Sequence, residues 1–263
     1  MPTAVPVVNK IAAENGVAPV ARCVDLLAGQ LSLIVGTPET DPLPPSANAI
    51  YVGPIVWQRG DAALPDWLAA FPRDIPLVWV YSGNPRYAGA AASTPIDSIV
   101  VIRAAIAALR DAPVQVVLTT GHQELPGEFG TLPANFRHAS YLPGPAMATR
   151  CDLMVHHGGH GSVMTGLAAG TPAVIIPTIT ERESNARRLV ALGAGEVVLP
   201  TNGADGEKHI DIADFAAKLN RVLREPAYRD SAKRIAQSMR HYAGAPDAAD
   251  RIERFATEQR PCP

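Results

Sequence analysis

The chain has 263 residues, enough for one large domain or two small ones around a sizeable apolar core. A formal charge of -2 gives no polyanion-binding surface, which argues against nucleic acid as a partner, and no uninterrupted apolar run reaches membrane-spanning length. Cys23, Cys151 and Cys262 lie far apart without metal-ligand spacing, and residues 1–9 lack the basic and apolar regions of a signal peptide. The expectation is a cytoplasmic protein with no metal and no structural disulfide.

Residues 1–50 differ from the rest. They carry a short helical pattern at 8–16, an apolar patch at 31–36, and a run of turn-formers, TPETDPLPPSANA, at 37–49. That run reads as a linker and places a boundary near residue 50. Beyond it strands and helices alternate. Apolar runs at 77–82, 114–120, 136–142, 152–157, 173–177 and 196–200 read as strands buried in a parallel sheet. Helical patterns fall at 94–112, with Thr94 as N-cap and Pro95 at the first helical position, near 145–150, at 162–169 and at 184–193. Amphipathic helices at 213–225, 227–242 and 247–256 close the chain, the last of them, with its tail, forming the segment 246–263. The expected fold class is α/β: a Rossmann-like parallel sheet over residues 51–245 with helices on both faces.

One stretch carries chemistry. Residues 155–162, VHHGGHGS, run from a strand into a helix at the end of the sheet where ligands of parallel sheets bind. Glycine there lets a ligand reach the backbone. The N–H groups of Gly161, Ser162 and Val163 would point out of the helix start, where the dipole favours an anion such as a diphosphate. A tight turn made only for close packing is the competing account. Neighbouring strand residues face opposite ways, so of His156 and His157 one addresses a ligand and the other packs.

The forty residues from His156 to Gly195 resemble the nucleotide-sugar-binding signature of the GT-B glycosyltransferases, in the family of bacterial macrolide and antibiotic glycosyltransferases and UDP-glucuronosyltransferases. The matching positions are His157, Gly158, Gly159, Gly161, Ser162, then Gly170, Pro172, Asn185 and Ala186. The resemblance implies the donor-binding, C-terminal half of a GT-B fold, with a UDP- or dTDP-sugar as substrate and no further cofactor. By the same resemblance, His157, Gly158, Gly159, Gly161 and Ser162 hold the donor diphosphate, faced across the cleft by Ser82, Gly83 and Asn84. Tyr141, with Leu142, takes the place of the aromatic that stacks on the base.

Two positions depart from the family. Thr165 stands where a glutamate binds the ribose, and Glu181-Arg182 replaces an acidic-Gln pair that reads the donor sugar, exchanging a neutral amide for a fixed cation. The family's general base is a histidine of the acceptor domain. Residues 1–50 resemble only the end of that domain, and all seven histidines lie beyond them. The resemblance therefore implies an inverting, metal-independent transfer to a small hydroxyl acceptor, with no catalytic residue in this chain. The chain would be an excised donor half, a split subunit completed by an acceptor-binding chain, or a non-catalytic nucleotide-binding partner. In each case an exposed apolar face for self-association or a partner is expected. A dinucleotide oxidoreductase would need GxGxxG after the first strand, which SGNPRYAG at 82–89 does not supply.

Overall fold

The computed structural model describes residues 4–22, 29–57, 63–83, 96–204 and 207–258. Helix α1 (Ala4–Glu14) is followed by two short strands, β1 (Leu33–Ile34) and β2 (Ile50–Tyr51), which pair in parallel. Strand β3 (Leu77–Tyr81), helix α2 (Ile96–Leu109), and strands β4 (Gln115–Thr119) and β5 (Phe136–Ala139) make one half of the main sheet. Helix α3 (Gly144–Arg150) leads into β6 (Leu153–His156), α4 (His160–Ala169), β7 (Ala173–Ile175), α5 (Thr180–Ala191) and β8 (Gly195–Val197). A small antiparallel pair, β9 (Thr201–Asn202) and β10 (Lys208–His209), precedes helices α6 (Ile212–Arg224), α7 (Pro226–Met239) and α8 (Ala245–Glu258).

The main sheet has six strands in the order β5-β4-β3-β6-β7-β8, every neighbouring pair parallel. Period-two alternation sorts its side chains to two faces. Val78, Val80, Leu118 and Val155 pack with α2 and with Phe215 and Leu219 of α6. Trp79, Val117, Met154 and Ile175 pack with α3, α4 and α7. Both faces are therefore buried, as the unbroken apolar runs require. Chain order reverses between β3 and β6, so the loops after those two strands diverge and leave a crevice at their carboxyl ends.

The stretch expected as a linker is folded against this body. The Tyr51 hydroxyl donates to the Asp41 carbonyl at 2.6 Å, and Ser238 on α7 donates to Glu39 at 2.8 Å. Arg188 on α5 binds the Thr40 carbonyl at 3.3 Å and also pairs with the Asp41 carboxylate. Prolines keep these residues out of helices and strands but leave their polar groups free to dock. Helix α5 also begins four residues before its sequence pattern, because Glu181 and Glu183 in its first turn suit the helix dipole. Thr94 and Pro95 lie outside the described residues. Among the described residues, no helix is long and apolar enough to cross a membrane.

Two outcomes test this packing. Phe215→Ala empties a fully buried site between α6 and the sheet and should lower the unfolding free energy by about 3–5 kcal/mol in urea titration. Arg188→Ala should leave the urea midpoint nearly unchanged but speed proteolytic nicking between residues 37 and 49; an unchanged rate would show that this docking does not depend on Arg188.

Candidate functional site

Strands β3 and β6 are neighbours, with Tyr81 opposite His156. The chain beyond each meets at the crevice. A Cβ at Gly83, where φ is +102°, would stand 3.1 Å from the His157 ring, and one at Gly159 would come within 2.7 Å of its Nε2. These two glycines clear the volume that the imidazole fills. His157 sits there 8 % exposed, its ring centroid 5.9 Å from that of Tyr81. Burial pushes the Tyr81 hydroxyl up in pKa, with the charge of Arg182 opposing.

His156 turns the other way and is 1 % exposed. Its Nδ1 accepts the Gly158 N–H at 3.1 Å, while its buried Nε2 has no hydrogen-bond partner among the described residues. Burial, with a smaller push from His157, lowers its pKa to about 3. This is a neutral side chain that holds the turn. Gly158 itself has φ +88°, and a Cβ there would meet Ile175 at 2.8 Å and the Arg182 carbonyl at 2.9 Å. Packing alone explains that glycine.

Gly161 is different. It lies in the first turn of α4, with Gly159 as N-cap, and a Cβ on it would meet no heavy atom within 4 Å. The helix would be better served by alanine. The N–H of Val163 donates to the Gly159 carbonyl at 3.1 Å, and that of Ser162 reaches the same oxygen at 3.0 Å. The expectation that all three amides are free is thus corrected: Val163 opens the helical ladder, and Ser162 is partly engaged. His160 and Gly161 are the first-turn residues whose amides helix geometry leaves without an intrahelical acceptor.

Gly161 and Ser162 line a cavity of about 690 Å³, together with Tyr141, Leu142 and Thr165. Trp79 forms part of its wall, and its indole N–H donates to the Thr119 hydroxyl at 2.9 Å. Tyr141 is 40 % exposed, and His122 lies stacked on it with ring centroids 4.3 Å apart and planes 12° from parallel. Trp57, 71 % exposed, stands at the rim.

Other expected site residues lie elsewhere. Ser82 is buried, because its N–H continues the β3–β4 pairing to the Thr119 carbonyl at 3.3 Å, and its hydroxyl donates to the same oxygen at 3.3 Å. Asn84 lies outside the described residues. Glu181 and Arg182 belong to the first turn of α5 and do not line the cavity. Glu181 accepts from Asn185 at 2.6 Å, Asn185 donates to the Gly158 carbonyl at 2.9 Å, and Arg182 donates to the Thr178 hydroxyl at 2.8 Å. The neighbouring Glu183 is held by Arg187 at 2.6 Å. Sequence reasoning missed His122, Trp79 and Trp57. The Gly-His pair directly after the strand at 114–120 was the available signal for His122.

Residues 103–254 match the family model described as erythromycin biosynthesis protein CIII-like, C-terminal domain. The chain belongs to this family. The match runs from within α2 to within α8, so this CIII-like domain includes the glycine turn, Tyr141 and most of the sheet. Curated relatives include a PGL/p-HBAD biosynthesis glycosyltransferase of Mycobacterium tuberculosis, 30% identical over 83% of this chain and 46% of that protein. Another is the aclacinomycin-T 2-deoxy-L-fucose transferase of Streptomyces galilaeus, 30% identical over 86% of this chain and 50% of that one. The chain spans about half the length of the curated relatives it matches. Among solved structures, spinosyn forosaminyltransferase SpnP superposes with a TM-score of 0.70 at 22% identity, covering 95% of this chain and 60% of that one. Glycosyltransferase VinC, solved in complex with dTDP, gives 0.68 at 24% identity over 96% and 59%. The fold of the CIII-like domain is the C-terminal half of a GT-B glycosyltransferase.

The buried histidine makes stability depend on pH. An unfolded His156 takes up a proton below its ordinary 6.5, whereas the folded one does so only near 3. Its contribution is fully present above pH 6.5 and is lost as pH falls towards 3, by up to roughly 1.4 kcal/mol per pH unit. His156→Asn keeps an acceptor for the Gly158 amide and cannot titrate. Urea midpoints followed from neutral pH to about pH 4 should fall less steeply in this variant; equal slopes would show that His156 is not the group responsible.

Proposed function

We propose that the chain is the donor-binding half of a glycosyltransferase that takes a sugar from UDP or dTDP and passes it to a small hydroxyl acceptor. One observation carries this reading. Gly161 lines a large cavity at a helix start, and the protein has no steric need of its own for glycine there. A missing Cβ over two unbonded amides suits a group that must approach backbone closely and carries negative charge. The diphosphate of a nucleotide donor is such a group, and the dTDP in VinC supports the choice by fold similarity.

The chemistry follows from where charge develops. As the bond between the anomeric carbon and the diphosphate oxygen breaks, the electron pair stays on the diphosphate. In this reading the amides of His160 and Gly161, the Ser162 hydroxyl and the His157 imidazole stabilise that growing charge without metal assistance. Gly83, Gly158 and Gly159 act indirectly, by giving His157 and the turn their positions. The acceptor oxygen attacks the opposite face of the anomeric carbon, which inverts it, and its proton goes to a base outside the described residues. Ile55 and Trp57, exposed beside the cavity, form an apolar rim suited to the acceptor side of the reaction or to a partner chain that carries it. Thr165 offers the ribose an uncharged hydroxyl from α4.

Calorimetry decides the matter. The chain should bind UDP or dTDP saturably, and Gly161→Ala should weaken that binding about tenfold or more while raising the unfolding free energy by up to about 0.5–1 kcal/mol. The absence of saturable binding of either nucleotide at millimolar concentration would contradict the donor site. Unchanged affinity in Gly161→Ala would remove the observation on which the reading stands.

A further inference from the structure

The backbone at His122 is unusual. Among the described residues it is the only one other than glycine at positive φ, +69°, directly after Gly121 at +61°. An imidazole-bearing residue in the left-handed region is strained in a way that glycine is not. The fold nonetheless enforces it. The His122 amide donates to the Ser140 carbonyl at 2.7 Å, tying this loop to the chain just after β5, and the Thr120 hydroxyl contacts both the Gln123 carbonyl and His138 Nε2.

The consequence of that conformation is the stack on Tyr141, at the wall of the cavity that Gly161 and Ser162 also line. The His122 ring is exposed, and its nitrogens make no hydrogen bond to a described residue. One cavity thus presents the Gly161 amide and the Ser162 hydroxyl, both suited to an anion, and, elsewhere on its wall, a pair of parallel rings with free polar edges. A ligand with an anionic group and a flat heterocycle, linked by a spacer, satisfies both. A packing residue would need neither the strained backbone nor the exposure.

We propose that His122 recognises the nucleobase of the donor, acting with Tyr141 as one aromatic platform. This rests on the donor reading above and adds to it a specificity-determining residue that the glycine signature does not contain.

The test uses the full chain with UDP, dTDP and inorganic pyrophosphate, the last having no base. His122→Gly removes both ring and strain, and His122→Asn removes the ring while tolerating positive φ. Both variants should lose about tenfold or more in UDP and dTDP affinity, keep pyrophosphate affinity within about twofold, and melt no lower than the parent chain. Unchanged nucleotide affinity would overturn the proposal. So would an equal loss for pyrophosphate, which would mean a general disturbance of the site, or unfolding of both variants, which would make His122 a residue of the fold. A parent chain that binds neither nucleotide would sink the donor reading and the base platform with it, whereas a parent chain that binds both, with affinities the two variants leave unchanged, would overturn the platform alone.

Discussion

A helix that starts directly off a central parallel strand must leave its first amides unbonded, and in this chain that start lies where strand order reverses. The reversal between β3 and β6 prevents the neighbouring loops from closing over it. Everything at the site depends on this coincidence of a helix mouth with an open crevice. The turn that achieves it is short, running from His156 to Gly159, and it requires a positive φ at Gly158 that packing against α5 would deny to any side chain.

The glycines of the turn therefore divide by cause. Gly158 is small because Ile175 and Arg182 are near; Gly83 and Gly159 are small because the His157 ring is near. Gly161 has no protein neighbour to accommodate. Counting glycines in the motif does not separate these roles, and only the surroundings of each absent Cβ do so. The paired histidines divide in the same way. One is sealed under the turn as a neutral hydrogen-bond acceptor, and the other is lodged between loops that face the crevice.

The parallel sheet was legible because its strands are buried on both faces and so appear as bare apolar runs such as LVWVY and LMVH. The glycine-histidine turn was legible because so few side chains can follow β6 into α4. Other features depend on contacts far apart in sequence. The pairing of β1 with β2 and the docking of Thr40 and Asp41 on Arg188 link residues with no local pattern in common, and a proline-rich stretch reads as a tether whether or not it docks. The early start of α5 was hidden because TERES is too polar to show helical periodicity, although its acidic residues favour a helix start. His122 escaped notice because neither its left-handed backbone nor its partner Tyr141, nineteen positions on, is visible in the order of residues.

The central claim is that the mouth of α4 seats a nucleotide's diphosphate. Amide-resolved NMR of the 15N-labelled chain during titration with dTDP tests it at the atoms concerned. The account predicts that the His160 and Gly161 amide resonances move furthest and saturate along one binding curve, with those of α8 remaining still. Saturable binding that leaves the His160 and Gly161 signals in place would contradict it.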